Sequence, residues 1–203
     1  MVRNIGNNYM EREFRAFEID ERNRNILKFL VYYMNDCKLA KEVFPDENYC
    51  TSKNLLFIGN VGTGKTMLMQ IFSEYGKALN LKKKFFNISI TQMMNYYKIN
   101  SHIDKYTYNE QDQEKKFEGN PVNVCLNDIG LDIENQKSYG TNLSVVMDEF
   151  LYARYELYQN NFNNYHLTSN LSIEEFKSRF GDRLVDRFKS FNIIVMSGES
   201  RRV

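Results

Sequence analysis

The chain has 203 residues, and its 27 lysines and arginines against 26 aspartates and glutamates give a formal net charge of +1. This length corresponds to one domain, which can bury a sufficient core without disulfides or a structural metal. The balanced charge excludes a uniformly basic nucleic-acid-binding protein, although it is compatible with a local basic patch.

The three cysteines, Cys37, Cys50 and Cys125, form no Cys-x-x-Cys pair. This pattern argues against a zinc site and against a secreted disulfide framework, so we expect a reducing, cytoplasmic setting. The longest apolar run near the N-terminus, residues 26–34, contains Lys28 and is too short to span a bilayer. We therefore expect neither a targeting segment nor contact with a membrane.

Segments with apolar residues at helical spacing alternate along the chain with short apolar runs. Residues 23–39 predict a first helix, and residues 55–58 predict a strand that is buried on both faces. A helix at residues 67–79 follows, after a glycine-rich turn. The further elements predicted, in chain order, are a strand at 84–90, a helix at 91–98 with Thr91 as N-cap, a strand at 122–126, a helix at 142–158, a strand at 165–168, helices at 172–179 and 182–189, and a strand at 192–196.

This alternation predicts an α/β sandwich with a parallel sheet. In such folds ligands bind at the carboxyl ends of the strands. Residues 100–120 are polar and rich in lysine and glutamate, and we expect them to form an exposed insertion.

The clearest motif fits the pattern Gly-x-x-x-x-Gly-Lys-[Ser/Thr] at every specified position, between a predicted strand and a predicted helix. Its residues are Gly59, Asn60, Val61, Gly62, Thr63, Gly64, Lys65 and Thr66. Such a loop turns successive backbone N–H groups toward phosphate oxygens, and the following helix adds its positive end. Lys65 can reach the β- and γ-phosphates, and the Thr66 hydroxyl can bind Mg²⁺. The motif therefore predicts a nucleoside triphosphate site, and the alternative is a chance glycine turn.

A P-loop also needs an acidic group from a neighbouring strand, close to the metal ion and the attacking water. The strand at 122–126 is followed by Asn127 and Asp128. The first of these positions usually holds an aspartate that helps to bind Mg²⁺, and the second an acid that orients water. Because Asn127 carries no charge, we expect weaker metal binding and slow hydrolysis, which Asn127→Asp would raise. Three roles remain open for Asp128: the base that activates water, a substitute acid for the metal site, or the cap of a turn.

Two further sets of residues are candidates for contact with phosphate. Asn170 follows the fourth predicted strand, where an amide can touch the γ-phosphate and hold the lytic water, although Ser-Asn is also common in turns. Arg183 and Arg187 are four residues apart and share a helix face. Guanidinium groups suit phosphate, but the spacing alone favours surface pairing with Asp182 or Asp186.

Other charged or titratable residues are interpreted as structural. We expect Arg154 to form a solvated salt bridge, and residues 82–84, three lysines in a row, to form a solvated face. His102 and His166 have no neighbours at metal-ligand spacing.

Taken together, these segments resemble the AAA+ ATPase domain of bacterial helicase loaders of the DnaC and DnaI type, which is related to IstB transposition ATPases and to the initiator DnaA. The resemblance covers residues 14–203 and leaves residues 1–13 as an N-terminal extension. The segments that carry it are residues 14–36, the P-loop, Asn-Asp-Ile-Gly at 127–130, Leu-Thr-Ser-Asn-Leu at 167–171, Gly-Asp-Arg-Leu-Val-Asp-Arg at 181–187 and Gly-Glu-Ser-Arg at 198–201.

The resemblance implies a P-loop NTPase (AAA+) three-layer sandwich, and since the sequence stops just after Arg202 we expect no C-terminal helical lid. It implies an ATPase of replication initiation that binds ATP and Mg²⁺ between subunits of a homo-oligomer. Single-stranded DNA and a replicative helicase, or another DNA-processing protein, would be its partners. By this resemblance Asn170 is the sensor 1 residue, and Arg187, with Arg183 beside it, is the arginine finger that acts on the neighbouring subunit. The alternatives are an assembly module with little hydrolysis and an IstB-like transposition ATPase.

Overall fold

The computed structural model describes residues 1–109, 121–130, 137–138 and 141–202. Most of the predicted insertion, residues 110–120, lies outside the described residues, as does the side chain of Arg183. The helices are α1 (Val2–Met10), α2 (Glu21–Met34), α3 (Ala40–Val43), α4 (Lys65–Ala78), α5 (Ile90–Asn100), α6 (Leu143–Asn161) and α7 (Ile173–Arg187). The strands are β1 (Asn54–Ile58), β2 (Phe86–Ser89), β3 (Val124–Ile129), β4 (Lys137–Ser138), β5 (Thr141–Asn142), β6 (Tyr165–Ser169) and β7 (Phe191–Val195).

Five of these strands form one parallel sheet in the order β2-β3-β6-β1-β7, and β4 and β5 pair separately in antiparallel fashion. The middle strand of this sheet is β6, which lies between β3 and β1. All three end at the same edge, where Ile58 of β1 lies opposite Ser169 of β6. Side chains that follow these three strands are therefore brought together.

Every residue of β1 is buried, which shows that the sheet is covered on both faces. Leu55 and Phe57 pack into a cluster with residues of α2 and α4. Leu56 and Ile58 point to the opposite face and pack against residues of α5, α6 and α7. This alternation of side chains across a central strand gives three layers and confirms the predicted α/β sandwich.

Two helix predictions were wrong in detail. Helix α5 begins at Ile90 rather than after Thr91, because Ser89 and Gln92 form a capping box with backbone-to-side-chain bonds of 3.0 and 3.1 Å. The two helices predicted at 172–179 and 182–189 are one helix, α7, followed by a 3₁₀ turn at Phe188–Ser190. The aromatic and aliphatic residues on one face of α7 pack continuously into the core, and this packing outweighs the low helix propensity of glycine.

Helix α1 was not predicted. It contains a glycine and several asparagines, which are weak helix formers. Gly6 allows the helix to lie directly against the ring of Phe17, where a Cβ atom would collide, and Met10 is buried at its end. Tertiary packing, rather than local propensity, therefore accounts for this helix.

Arg154 does not form the predicted solvated salt bridge. Its side chain is fully buried, and it donates to the carbonyl oxygens of Tyr106 and Val122, each at 2.7 Å. Burial lowers the pKa of Arg154 to about 9. Tyr106 lies within the predicted insertion and Val122 lies just after it, so Arg154 ties this part of the chain to α6. Three residues in the described part of the segment are buried, contrary to the expected exposure: Ile103, Thr107 and Asn109.

Lys83, the middle residue of the lysine run, is not on a solvated face. Its ammonium is buried and donates to the carbonyl oxygens of Tyr33 and Thr51, and it pairs with Asp36. The imidazole of His166 is also buried, where its Nδ1 accepts the backbone N–H of Leu55 at 3.2 Å.

Candidate functional site

The glycine-rich loop joins the end of β1 to the start of α4, at the edge of the sheet where β1, β6 and β3 end. A Cβ atom at Gly59 would collide with the carbonyl oxygen of Met196. Gly62 has φ 83°, a conformation that favours glycine, and a Cβ atom there would collide with Ser200. The loop therefore needs glycine at these two positions to turn tightly against the residues that follow β7.

Lys65 is the first residue of α4, and its ammonium is folded into the loop. It donates to the carbonyl oxygens of Gly59 and Asn60 at 2.6 and 2.8 Å. Burial lowers the pKa of Lys65, the charge of Asp128 raises it, and the charge of Arg202 lowers it. The sequence thus places a partly desolvated cation at the N-terminal end of a helix, where the helix dipole and free N–H groups also favour an anion.

Asp128 approaches the first turn of α4. Its Oδ1 accepts a hydrogen bond from the hydroxyl of Thr66 at 3.3 Å, and its backbone N–H donates to Oγ1 of Thr168 at 2.9 Å. Asp128 has φ 62°, a left-handed conformation uncommon outside glycine. A hydroxyl and a carboxylate oxygen therefore lie side by side next to Lys65, and oxygen donors of this kind suit Mg²⁺.

Asn127 has a different environment from Asp128. Its side chain is 4% exposed, and its amide nitrogen donates to Oδ1 of Asn87 at 3.1 Å and to the carbonyl oxygen of Ile88 at 3.4 Å. Its amide oxygen accepts from Thr168 at 3.3 Å. The amide is thus occupied within the sheet, and Asn127 does not line the cavity beside the loop, whereas Asp128 does.

A cavity of about 850 Å³ lies beside the glycine-rich loop, and Asn170 lines it together with Asp128. Asn170 follows β6, whose last residue, Ser169, donates to the carbonyl oxygen of Ile129 at 2.7 Å and accepts from the N–H of Leu171 at 3.1 Å. These bonds fix the turn that carries Asn170. The structure therefore brings Lys65, Thr66, Asp128 and Asn170 to one site. Lys65 and Thr66 come after β1, Asp128 belongs to β3, and Asn170 follows β6.

Arg187 lies elsewhere and does not line this cavity. Its guanidinium carbon is 4.3 Å from the ring centre of Tyr152 and 4.5 Å from that of Tyr155, both on α6. Its Nη1 is buried and has no hydrogen-bond partner among the described residues. Arg183 is placed on the same helix.

Sequence reasoning missed several residues that line the cavity. They come from the segment before α2 and from the residues that follow β7: Arg15, Asp20, Arg22, Ser200, Arg201 and Arg202. The backbone N–H of Arg201 donates to the carbonyl oxygen of Gly62 at 2.8 Å, and its guanidinium pairs with Asp20 at 2.9 Å. The two successive arginines after the last predicted strand were the available signal, but Arg15 and Asp20, which bond to Arg201, are 186 and 181 positions away in sequence.

Within the described part of the chain, no helix is long and apolar enough to cross a membrane. The same residues contain no group of three or more histidines, cysteines, aspartates or glutamates arranged to hold a metal ion. Mg²⁺ commonly binds through one or two protein groups together with substrate phosphates. Thr66 and Asp128 fit that arrangement.

No protein-family model matches the chain, and no curated protein matches its sequence. Several solved structures share its fold. The DnaC helicase loader superposes with a TM-score of 0.57 at 18% identity, covering 90% of this chain and 94% of DnaC. AMPPCP-bound DnaA from Aquifex aeolicus gives 0.55 at 18% identity, covering 89% of this chain and 48% of DnaA. A replication initiator DnaA bound to AMPPCP and single-stranded DNA gives 0.53 at 17% identity, with coverages of 90% and 49%.

The chain therefore has the α/β fold with a parallel sheet that is seen in DnaC and DnaA, and the predicted α/β sandwich is confirmed. At these identities the similarity establishes the fold, while the activity has to be argued from the site.

Proposed function

We propose that the chain is an ATP-binding AAA+ domain of the DnaC helicase-loader type, which acts in replication initiation by ATP-dependent assembly on single-stranded DNA or with a helicase. The observation that carries this proposal is the glycine-rich loop of residues 59–64, with Lys65 folded into it and Thr66 bonded to Asp128. These groups form a cradle for phosphates and a place for Mg²⁺.

Each group has a distinct part in this proposal. The loop N–H groups and Lys65 bind the β- and γ-phosphates, and the Thr66 hydroxyl and Asp128 hold Mg²⁺, which neutralises phosphate charge when bound. The amide of Asn170 orients the water that attacks the γ-phosphate. Two DnaA structures with this fold contain AMPPCP, an ATP analogue, which supports ATP as the nucleotide.

Arg187 acts on a neighbouring subunit in this proposal. It lies on α7 and does not line its own cavity, so a role toward its own nucleotide has no geometric support. A cation supplied from outside stabilises the transferring phosphoryl group only when the oligomer is assembled. Arg183, on the same helix, is proposed to assist it. Assembly and hydrolysis would thereby be coupled.

A cytoplasmic location completes the proposal. The three cysteines are free thiols, as a reducing compartment requires.

A second candidate function is a nucleotide-dependent assembly module with little hydrolysis. The observation that favours it is the environment of Asn127, an uncharged residue whose amide is occupied by Asn87 and Thr168. In this alternative, bound ATP controls association with a partner, and the chain does not turn over ATP appreciably.

The experiment is to measure molar mass in solution with and without AMPPCP, Mg²⁺ and single-stranded DNA, and phosphate release from ATP under the same conditions. The proposal expects AMPPCP to raise the mass of the wild type, DNA to promote this assembly further, and Lys65→Ala to remain at the mass seen without nucleotide. Slow phosphate release identifies the ATPase, and assembly without release identifies the module. A mass that is indifferent to nucleotide contradicts both.

A further inference from the structure

We propose that a bulge in β3 transfers the metal-site role from position 127 to Asp128, so that Asp128 is the acid that holds Mg²⁺ and Asn127 is a structural residue. This inference rests on the proposed nucleotide function. It goes beyond that function by assigning one role to each of the two residues, and by explaining why an uncharged residue is compatible with a metal site here.

The pairing of β3 with β6 contains one extra residue on β3. Leu126 lies opposite Leu167, but the next paired residues are Ile129 and Ser169, so three steps on β3 match two on β6. Such a bulge changes the direction of the side chains next to it. Asp128, at φ 62°, lies within this irregular stretch.

Without the bulge, Asp128 would point to the wrong face of the sheet. Side chains alternate along a strand, and Leu126, two residues earlier, packs on the face covered by α5, α6 and α7. Cys125 packs on the other face, together with residues of α4. Thr66 belongs to α4, so regular alternation would aim position 127, and not Asp128, toward Thr66. The observed bond between Asp128 and Thr66 is therefore a consequence of the bulge.

Asn127 is held by a chain of hydrogen bonds that connects β3 to α4 through β2. Its amide nitrogen donates to Oδ1 of Asn87, and the amide nitrogen of Asn87 donates to the carbonyl oxygen of Met69 at 3.0 Å. The same nitrogen of Asn127 also faces the carbonyl oxygen of Ile88. The surroundings of position 127 therefore favour a side chain that donates hydrogen bonds.

A carboxylate at position 127 would meet this environment unfavourably. It would place a buried negative charge against the two acceptor oxygens of Asn87 and Ile88, where the native amide donates. Burying a charge without a partner is unfavourable. Asn127→Asp is therefore expected to weaken the fold rather than to supply a metal-site acid, contrary to the expectation from sequence that it would raise hydrolysis.

The bulge also predicts slow turnover. Asp128 is committed to Thr66 and the metal ion, and so it is not free to activate water. Asp20, another carboxylate of the cavity, caps α2 and pairs with Arg201. The neutral amide of Asn170 is the group proposed to orient the lytic water. With Asp128 holding Mg²⁺ instead of activating water, the chain is expected to keep metal-dependent ATP binding and to hydrolyse ATP slowly.

The experiment measures the affinity of the folded chain for fluorescent AMPPCP with Mg²⁺ and again with EDTA, and takes the ratio of the two dissociation constants. Asp128→Asn is expected to lower this Mg²⁺ enhancement by about tenfold, as loss of a group that orients metal ligands does. Asn127→Asp is expected to leave the ratio unchanged and to lower the melting temperature without nucleotide. Asn127→Ser, which introduces no charge, is the second variant should Asn127→Asp fail to fold, and it too should retain the ratio.

The inference is overturned if Asp128→Asn keeps the full Mg²⁺ enhancement, or if Asn127→Asp increases it. Failure of the underlying function has a different outcome: wild type and Lys65→Ala would then bind AMPPCP equally weakly whether or not Mg²⁺ is present.

Discussion

The backbone N–H of Arg201 donates to the carbonyl oxygen of Gly62 at 2.8 Å, and this bond ties the residues after β7 to the phosphate loop. The guanidinium of the same arginine pairs with Asp20, and its carbonyl oxygen accepts from Arg15 at 2.8 Å. One residue thus connects the glycine-rich loop to the start of α2. The glycine-rich loop is therefore held by the residues after β7 and, through Arg201, by the residues before α2, before any ligand binds.

Asp20 contributes to stability chiefly as a helix cap. Its Oδ1 accepts the backbone N–H groups of Arg22 and Asn23 at 3.0 and 3.1 Å. Asp20→Ala is expected to lower the free energy of unfolding by about 1 kcal/mol, the typical cost of a lost N-cap. Asp20→Ser is the matched control, since it keeps the cap and loses only the ion pair with Arg201. Urea denaturation measures both, and an equal loss in the two variants would contradict the capping role.

The contribution of Asp20 also depends on pH. Its side-chain hydrogen bond with Arg201 lowers the pKa of Asp20 in the folded protein, burial acts in the opposite direction, and the charge of Arg201 and the backbone N–H groups add to the lowering. A lowered carboxyl pKa stabilises the fold above the unfolded value of about 3.9, and that stabilisation is lost as the pH falls through the folded value. The difference in melting temperature between wild type and Asp20→Ser should therefore stay constant down to about pH 4 and shrink as the pH falls further, which thermal melts from pH 6 downward measure.

His166 is expected to destabilise the fold on acidification. Burial, with a smaller contribution from the charge of Lys83, lowers the pKa of His166 to about 3. The unfolded chain takes up a proton near pH 6.5 while the folded chain does not, so stability falls as the pH drops from about 6.5 toward 3.

Its test is the melting temperature of wild type and His166→Gln between pH 7.5 and pH 4.5. Glutamine can still accept the N–H of Leu55 but has no proton to gain. The difference between the two proteins should shift in favour of the variant as the pH falls. Parallel curves would contradict the assignment.

Arg154→Met is expected to lower the free energy of unfolding by about 2 kcal/mol or more, because it leaves the buried carbonyl oxygens of Tyr106 and Val122 without a donor. The control is Arg24→Met, which removes an exposed arginine from α2. Chemical denaturation of both variants measures the difference. Equal stability of the two would show that Arg154 does not anchor the segment between its two acceptors.

The role proposed for Arg187 predicts complementation between two inactive variants. Lys65→Ala subunits should not bind ATP but still carry Arg187, and Arg187→Ala subunits should bind ATP but offer no cation to their neighbours. Each variant alone should release little phosphate, and a mixture should recover part of the wild-type rate. The mixture is expected to assemble through the ATP that the Arg187→Ala subunits bind. No recovery in a mixture that has assembled would contradict action on a neighbouring subunit.

The features that could be predicted from sequence are those encoded by neighbouring residues. The glycine-rich loop is contiguous, so its position between β1 and α4 followed directly from the pattern. The positions of Asp128 and Asn170 at one edge followed from the parallel order of the strands.

The features that escaped prediction depend on contacts between distant parts of the chain. Regular alternation in β3 gives no sign of the bulge that turns Asp128 toward Thr66, because the bulge is defined by pairing with β6. The bond between Arg15 and Arg201 joins residues 186 positions apart. The amide network of Asn127 likewise depends on a residue of β2, and only the folded sheet brings them together.

The most direct test of the account is a calorimetric titration of the chain with AMPPCP and Mg²⁺, using wild type and Lys65→Ala. The account predicts saturable binding of one nucleotide per wild-type subunit, and binding weakened by at least about tenfold in the variant, since a charge-assisted contact with phosphate is lost. Identical isotherms for the two proteins, or no heat of binding to the wild type, would contradict it.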